Sequence, residues 1–137
     1  MSERRLLQLA VALACLVPVI GGGMGMAYGP AMVDSGPISA AADSHFRYLS
    51  GLLLGVGIGF LGTLPRIEAR TGRFQLLAGI VVIGGLGRLL SVLLYGRPER
   101  WTLFALAMEL GVTPLLAWWQ WRVARPNPKL DRARLAE

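Results

Sequence analysis

FQLLAGIVVIGGLGRLLSVLLY, residues 74–95, is the stretch on which the fold turns. It carries one charged residue, Arg88, and apart from Gln75 is otherwise apolar or small. Crossing about 30 Å of hydrocarbon as a helix takes roughly 20 such residues, so the segment is long enough to span a bilayer. Three further segments, residues 6–23, 46–64 and 101–121, reach or approach the same length. The expectation is an all-α, four-span transmembrane helix bundle over residues 1–124, followed by a basic cytoplasmic tail over 125–137.

Composition supports that class. The chain is 54% hydrophobic and 16% charged and holds 18 glycines in 137 residues, which is too apolar and glycine-rich for an ordinary soluble domain. Four spans leave little chain for any domain outside the membrane.

A net charge of +6 could suggest a nucleic-acid partner. The placement of the basic residues argues against one. Arg4, Arg5, Arg66, Arg70, Arg73, Arg122, Arg125, Lys129, Arg132 and Arg134 fall on one side of the four spans, and only Arg47, Arg97 and Arg100 on the other. Such a bias orients multi-pass proteins with the basic side in the cytoplasm, so both termini are expected inside. No folded basic domain accompanies the charge, and no nucleic-acid partner is expected. The tail is a topology signal and an anchor to anionic headgroups. Tyr95 and Trp101 would mark the outer interface, and Trp118, Trp119 and Trp121 the inner one.

Arg4 and Arg5 before an apolar run also fit a secretory signal, with small residues near Met26-Ala27-Tyr28-Gly29. The uncharged stretch continues to Val33, however, and removing it would put the basic tail outside. Retention as the first helix is therefore expected. Cys15 has no disulfide partner and reads as a small packing residue.

Residues 24–44 form the long connection, on the outer side, read as a partly inserted or interfacial cap with Asp43 or Ser44 as N-cap of the second span. In that span Gly51, Gly55 and Gly59 form two overlapping G-x-x-x-G units, extended by Ser50 and Gly62, with Gly57 off the stripe. This face is expected to admit another backbone, within the chain or from a second copy. In the fourth span Pro114 should leave the Leu110 carbonyl unpaired and bend the helix.

Apart from Arg47 at the very start of the second span, Arg88 and Glu109 are the charged residues inside spans. Arg88 lies seven residues before Tyr95 and Glu109 eight after Trp101, which at 1.5 Å per residue places both about 10–12 Å below the outer interface. Opposite charges at matched depth are expected to be neighbours, in a bridge that could be bidentate and charge-assisted. His45 and Arg47 approach from the same side, with Arg47 able to reach inward to Glu109 or outward to Asp43 and headgroups. Ser50, Ser91 and Thr113 complete an expected outer polar cluster.

Three readings of the cluster stay open. The pair could specify how the third and fourth spans pack; two arginines facing one carboxylate could accept a lipid headgroup, a quinone-like molecule or a small anion; or Glu109 could serve a membrane enzyme. No nucleophile motif accompanies the cluster, so no catalytic residue is assigned. With one His and one Cys, no metal site or cofactor is expected. Partners are expected to be membrane lipid and further copies or subunits of a membrane complex.

The string FRYLSG at 46–51 with Gly55 and Gly59, the run GGLGRLLS at 84–91, and Glu109 with Thr113-Pro114 resemble a family of small bacterial membrane proteins, domain of unknown function 4345. The resemblance covers roughly residues 5–124. It implies a four-helix membrane domain, and with it the bacterial inner membrane, and singles out Arg47, Arg88, Glu109 and Pro114. It implies no established activity, substrate or cofactor.

Overall fold

A computed structural model describes residues 2–33, 36–96 and 98–125. The tail beyond Arg125, together with Asp34 and Arg97, lies outside the described residues. The chain is all-α, with four helical segments long and apolar enough to cross a membrane: Glu3–Met32, Ala40–Arg66, Thr71–Tyr95 and Arg100–Ala124. They comprise α1 (Glu3–Tyr28), α2 (Ala40–Leu61), α3 (Thr71–Tyr95), and a fourth segment divided into α4 (Arg100–Ala107), a π turn (Met108–Val112) and α5 (Thr113–Ala124).

The connection between the first two spans is shorter than expected. Instead of ending near Gly23, α1 runs to Tyr28 and is followed by a 3-10 turn, Gly29–Met32. Nothing between Gly23 and Tyr28 breaks a helix, and in hydrocarbon a glycine-rich segment stays helical because its backbone groups have no water to bond. Gly29, at φ +66°, and Pro30 stop it. The N-cap of α2 is Ser39, whose hydroxyl accepts from the Ala42 N–H at 3.2 Å, and not Asp43 or Ser44. Asp43 falls in the first turn, where its charge suits the helix dipole.

The helices form two hairpins. α1 packs most extensively on α2, and α3 packs on α5 and the π turn. The buried core joining the hairpins sits toward the end where α1 begins and α5 finishes, termed the terminal end below. Leu7, Val11 and Cys15 of α1 meet Phe60, Ile67, Phe74, Ala78 and Ala117 there. Phe60 and Phe74 contact edge to face, their centroids 4.9 Å apart. Leu93 and Ile83, 73% and 70% exposed, belong to the large apolar surface turned outward, as expected of helices whose solvent is lipid.

Close approach of α1 to α2 depends on glycines other than the expected stripe. A Cβ on Gly22 would lie 2.5 Å from the Leu54 nitrogen and 2.7 Å from the Ser50 carbonyl oxygen, and one on Gly25 would collide with the Ser50 side chain. Gly57, placed off the stripe by its spacing, is the α2 glycine that receives Pro18 and Val19. Gly51 and Gly59 meet only the flexible side chains of Met26 and Leu77, and Gly55 faces open space. The G-x-x-x-G units thus do not form the α1–α2 backbone contact. α1 supplies the small residues, and α2 turns Ser50, Leu54 and Gly57 toward it.

Candidate functional site: an ion pair at a π turn

Arg88 and Glu109 meet as a bidentate pair. Arg88 Nε donates to Glu109 Oε2 and Nη2 to Oε1, both at 3.0 Å. The two side chains are 31% and 17% exposed, so most of the pair is shielded by protein. Two parallel bonds hold the guanidinium fork against the carboxylate plane, the strongest geometry available to an Arg–carboxylate contact. The Arg88 guanidinium also lies 5.7 Å from the Trp101 ring centroid, within cation–π range.

Two local features bring the charges together. Gly85, one turn before Arg88, is buried, and a Cβ there would come within 2.8 Å of Glu109 Cβ and the Leu110 side chain. Its missing side chain lets the fourth span approach α3 closely. The second feature is the π turn that contains Glu109. Pro114 has no N–H for the Leu110 carbonyl, and its ring would crowd that carbonyl in a regular helix. The chain widens instead, and the Thr113 N–H reaches back to the Met108 carbonyl, which also accepts from Thr113 Oγ1 at 2.9 Å. A π turn inserts one residue into the helical register, so it sets the direction in which Glu109 points.

The rest of the expected cluster is elsewhere. Arg47 does not reach Glu109: its Nε donates to Asp43 Oδ2 at 2.9 Å and its Nη1 to the carbonyls of Met26 and Ala27. Those carbonyls belong to the last turn of α1, which has no basic residue of its own. Arg47 therefore caps α1 from α2, satisfying acceptors that a helix end leaves unpaired. His45 is exposed on the first turns of α2. Ser50 donates to the Phe46 carbonyl at 2.8 Å and packs against α1, Ser91 is exposed, and Thr113 serves the π turn. The cluster reduces to Arg88, Glu109 and Trp101.

A second polar network was not anticipated. Gln120, fully buried on α5, donates to the Ile67 carbonyl at 2.8 Å and to Thr71 Oγ1 at 2.9 Å. Gln75 donates to the Ala117 carbonyl at 2.8 Å and to Gln120 Oε1 at 3.3 Å. The signal was present in the spacing: Gln75 lies near the start of one span and Gln120 near the end of the next, so the depth count that paired Arg88 with Glu109 pairs these too. Around them Gln8 donates to the Leu64 carbonyl at 2.6 Å, Arg4 bridges Glu68 at 3.1 Å, and Arg122 and Trp119 both bond Glu3. The terminal end is thus fastened by polar bonds as well as by the core.

Between α3 and α5 runs an open groove of about 570 Å³, from Val82 and Pro114 down to Gln75 and Trp121. Among the described residues no group of three or more His, Cys, Asp or Glu side chains could hold a metal ion. No curated protein and no solved structure matches the chain. Residues 6–120 match the family described as Domain of unknown function (DUF4345), and the protein belongs to that family.

Proposed function

We propose that this protein is a non-catalytic, multi-pass accessory protein of the bacterial inner membrane, working through its helix surfaces as a subunit or homo-oligomer. Both termini face the cytoplasm in this reading, which rests on ten basic residues flanking the spans on one side against three on the other. The observation that carries the proposal is that the buried charges are answered from within the chain. Arg88 is closed on Glu109 by two bonds, and Arg47, the second cation a polar ligand would need, is committed to Asp43 and the end of α1. A saturated pair fixes how two helices pack and presents no spare charge to a ligand or a reaction.

Extraction of the full chain from its own membranes into polymer-bounded native discs tests the proposal. Mass spectrometry should then find a stoichiometric protein partner or a second copy, and the Arg88→Met/Glu109→Met double variant should keep it. A monomer carrying a polar small molecule that disappears in Arg88→Met would overturn the accessory reading in favour of a binding or transport module at the ion pair.

A further inference from the structure

We propose that the groove between α3 and α5 seats one acyl chain of an anionic phospholipid, with Arg125 at its mouth holding the lipid phosphate. The proposal rests on membrane embedding of the four apolar segments. From Val82 to Gln75 the groove follows α3 for seven residues, roughly 10 Å, or about a third of the hydrocarbon thickness. Its floor is shallow because it is built from Ala78, Gly79 and Ala117. Gly79 keeps it open: a Cβ there would meet nothing within 4 Å. The polar lining residue Gln75 turns both its donated bonds toward protein.

The mouth supplies the headgroup chemistry. Arg125 stacks on the Trp121 ring, 3.4 Å from its centroid, and has no carboxylate partner among the described residues. Arg122 lies 5.4 Å from the Trp118 centroid but is bridged to Glu3, so among the described residues Arg125 is the free cation of this end of α5. The indole N–H groups of Trp118 and Trp121 donate to no protein acceptor among the described residues, whereas that of Trp119, on another face, donates to Glu3. Tryptophan rings settle at headgroup depth with their N–H toward the wet side, where ester and phosphate oxygens lie. An acyl-sized groove, two unused indole donors and one unpaired guanidinium in line along α5 match a phosphodiester lipid with net negative charge. A zwitterionic lipid would fill the groove but bring its own cation to Arg125.

Full-length protein purified in mild non-ionic detergent can be offered phosphatidylglycerol or phosphatidylcholine of matched chains and examined by native mass spectrometry. One phosphatidylglycerol per chain should remain under conditions that strip phosphatidylcholine. Arg125→Gln, at an exposed helix end, should lower the preference about fivefold, the weight of one basic residue at an anionic surface. Gly79→Leu puts a side chain into the groove, its Cβ meeting nothing within 4 Å, and should lower retention of both lipids at least about tenfold. Equal retention of the two lipids by the unmodified chain overturns the proposal. So does a folded Gly79→Leu variant that retains lipid normally. Should Gly79→Leu fail to fold, Arg125→Gln decides, and an unchanged preference refutes the phosphate contact. Release of the chain from membranes by alkaline carbonate would instead overturn membrane embedding itself.

Discussion

Removing one partner of the Arg88–Glu109 pair should cost far more than removing both. A lone charge at the centre of a spanning helix costs roughly 2.5–3.5 kcal/mol on insertion scales. Here the side chains are 31% and 17% exposed, which lowers the expected cost of Arg88→Met or Glu109→Met to about 2 kcal/mol each. Glu109→Met should be the milder of the two, because Arg88 keeps its stacking on Trp101 and can extend toward headgroups, while Glu109 left alone is shorter and more enclosed. The double variant replaces the pair by apolar chains of similar reach and should fall within about 1 kcal/mol of the native protein. Together these give a coupling of about 3 kcal/mol, toward the upper end for contacting residues. Reversible unfolding of the four chains in mixed micelles, followed by circular dichroism, measures the cycle. Additive single-variant losses, with the double variant as unstable as their sum, would refute the claim that the two charges stabilise one another.

Other perturbations separate the elements around the pair. Gly22→Val puts a side chain into the α2 backbone and should unfold or split the α1–α2 hairpin, while Gly55→Ala, facing open space, should change stability by less than about 0.5 kcal/mol; thermal denaturation in detergent compares them. Deleting Gly111 takes the surplus residue out of the π turn and rotates Glu109 by about 100° relative to α5. The deletion should abolish the Arg88–Glu109 coupling, so that adding Arg88→Met costs no more than in a Glu109→Met background. Gln120→Leu leaves the Ile67 carbonyl and Thr71 hydroxyl without their donor and should cost about 1–2 kcal/mol, with faster hydrogen exchange through the α2–α3 connection.

Much of this architecture was legible from residue type and spacing, and the exceptions share a cause. Four apolar stretches announced four helices, and counting depth from Tyr95 and Trp101 placed Arg88 beside Glu109. The Arg47–Asp43 contact is legible in their i,i+4 spacing, but the capping of α1 by Arg47 is not, because it depends on α1 running past Gly23 to Tyr28, where its terminal carbonyls meet Arg47. The α1–α2 contact was not legible in the G-x-x-x-G stripe for a similar reason. Small-residue spacing shows that a helix could be approached closely, but Gly22, Gly25 and Gly57 were the positions turned toward a neighbour, and rotation about the helix axis is set by the partner. Pro114 pointed to a disturbed helix, yet a kink and a π turn leave the same trace in sequence.

Hydrophobic length and the local chemistry of glycine and proline are properties of short segments, so the sequence by itself determined the all-α class, the number of long apolar helices and the matched positions of the two charged residues along theirs. Which faces meet is a property of all four helices at once. Only the tertiary structure decided that Trp101 lies against the Arg88–Glu109 pair, that Arg47 serves α1, and that a glutamine network joins α5 to the start of α3. The physical reason is the same in each case: a buried polar group must find a partner, and which partner lies within 3 Å depends on helix rotation and length, which no single segment encodes.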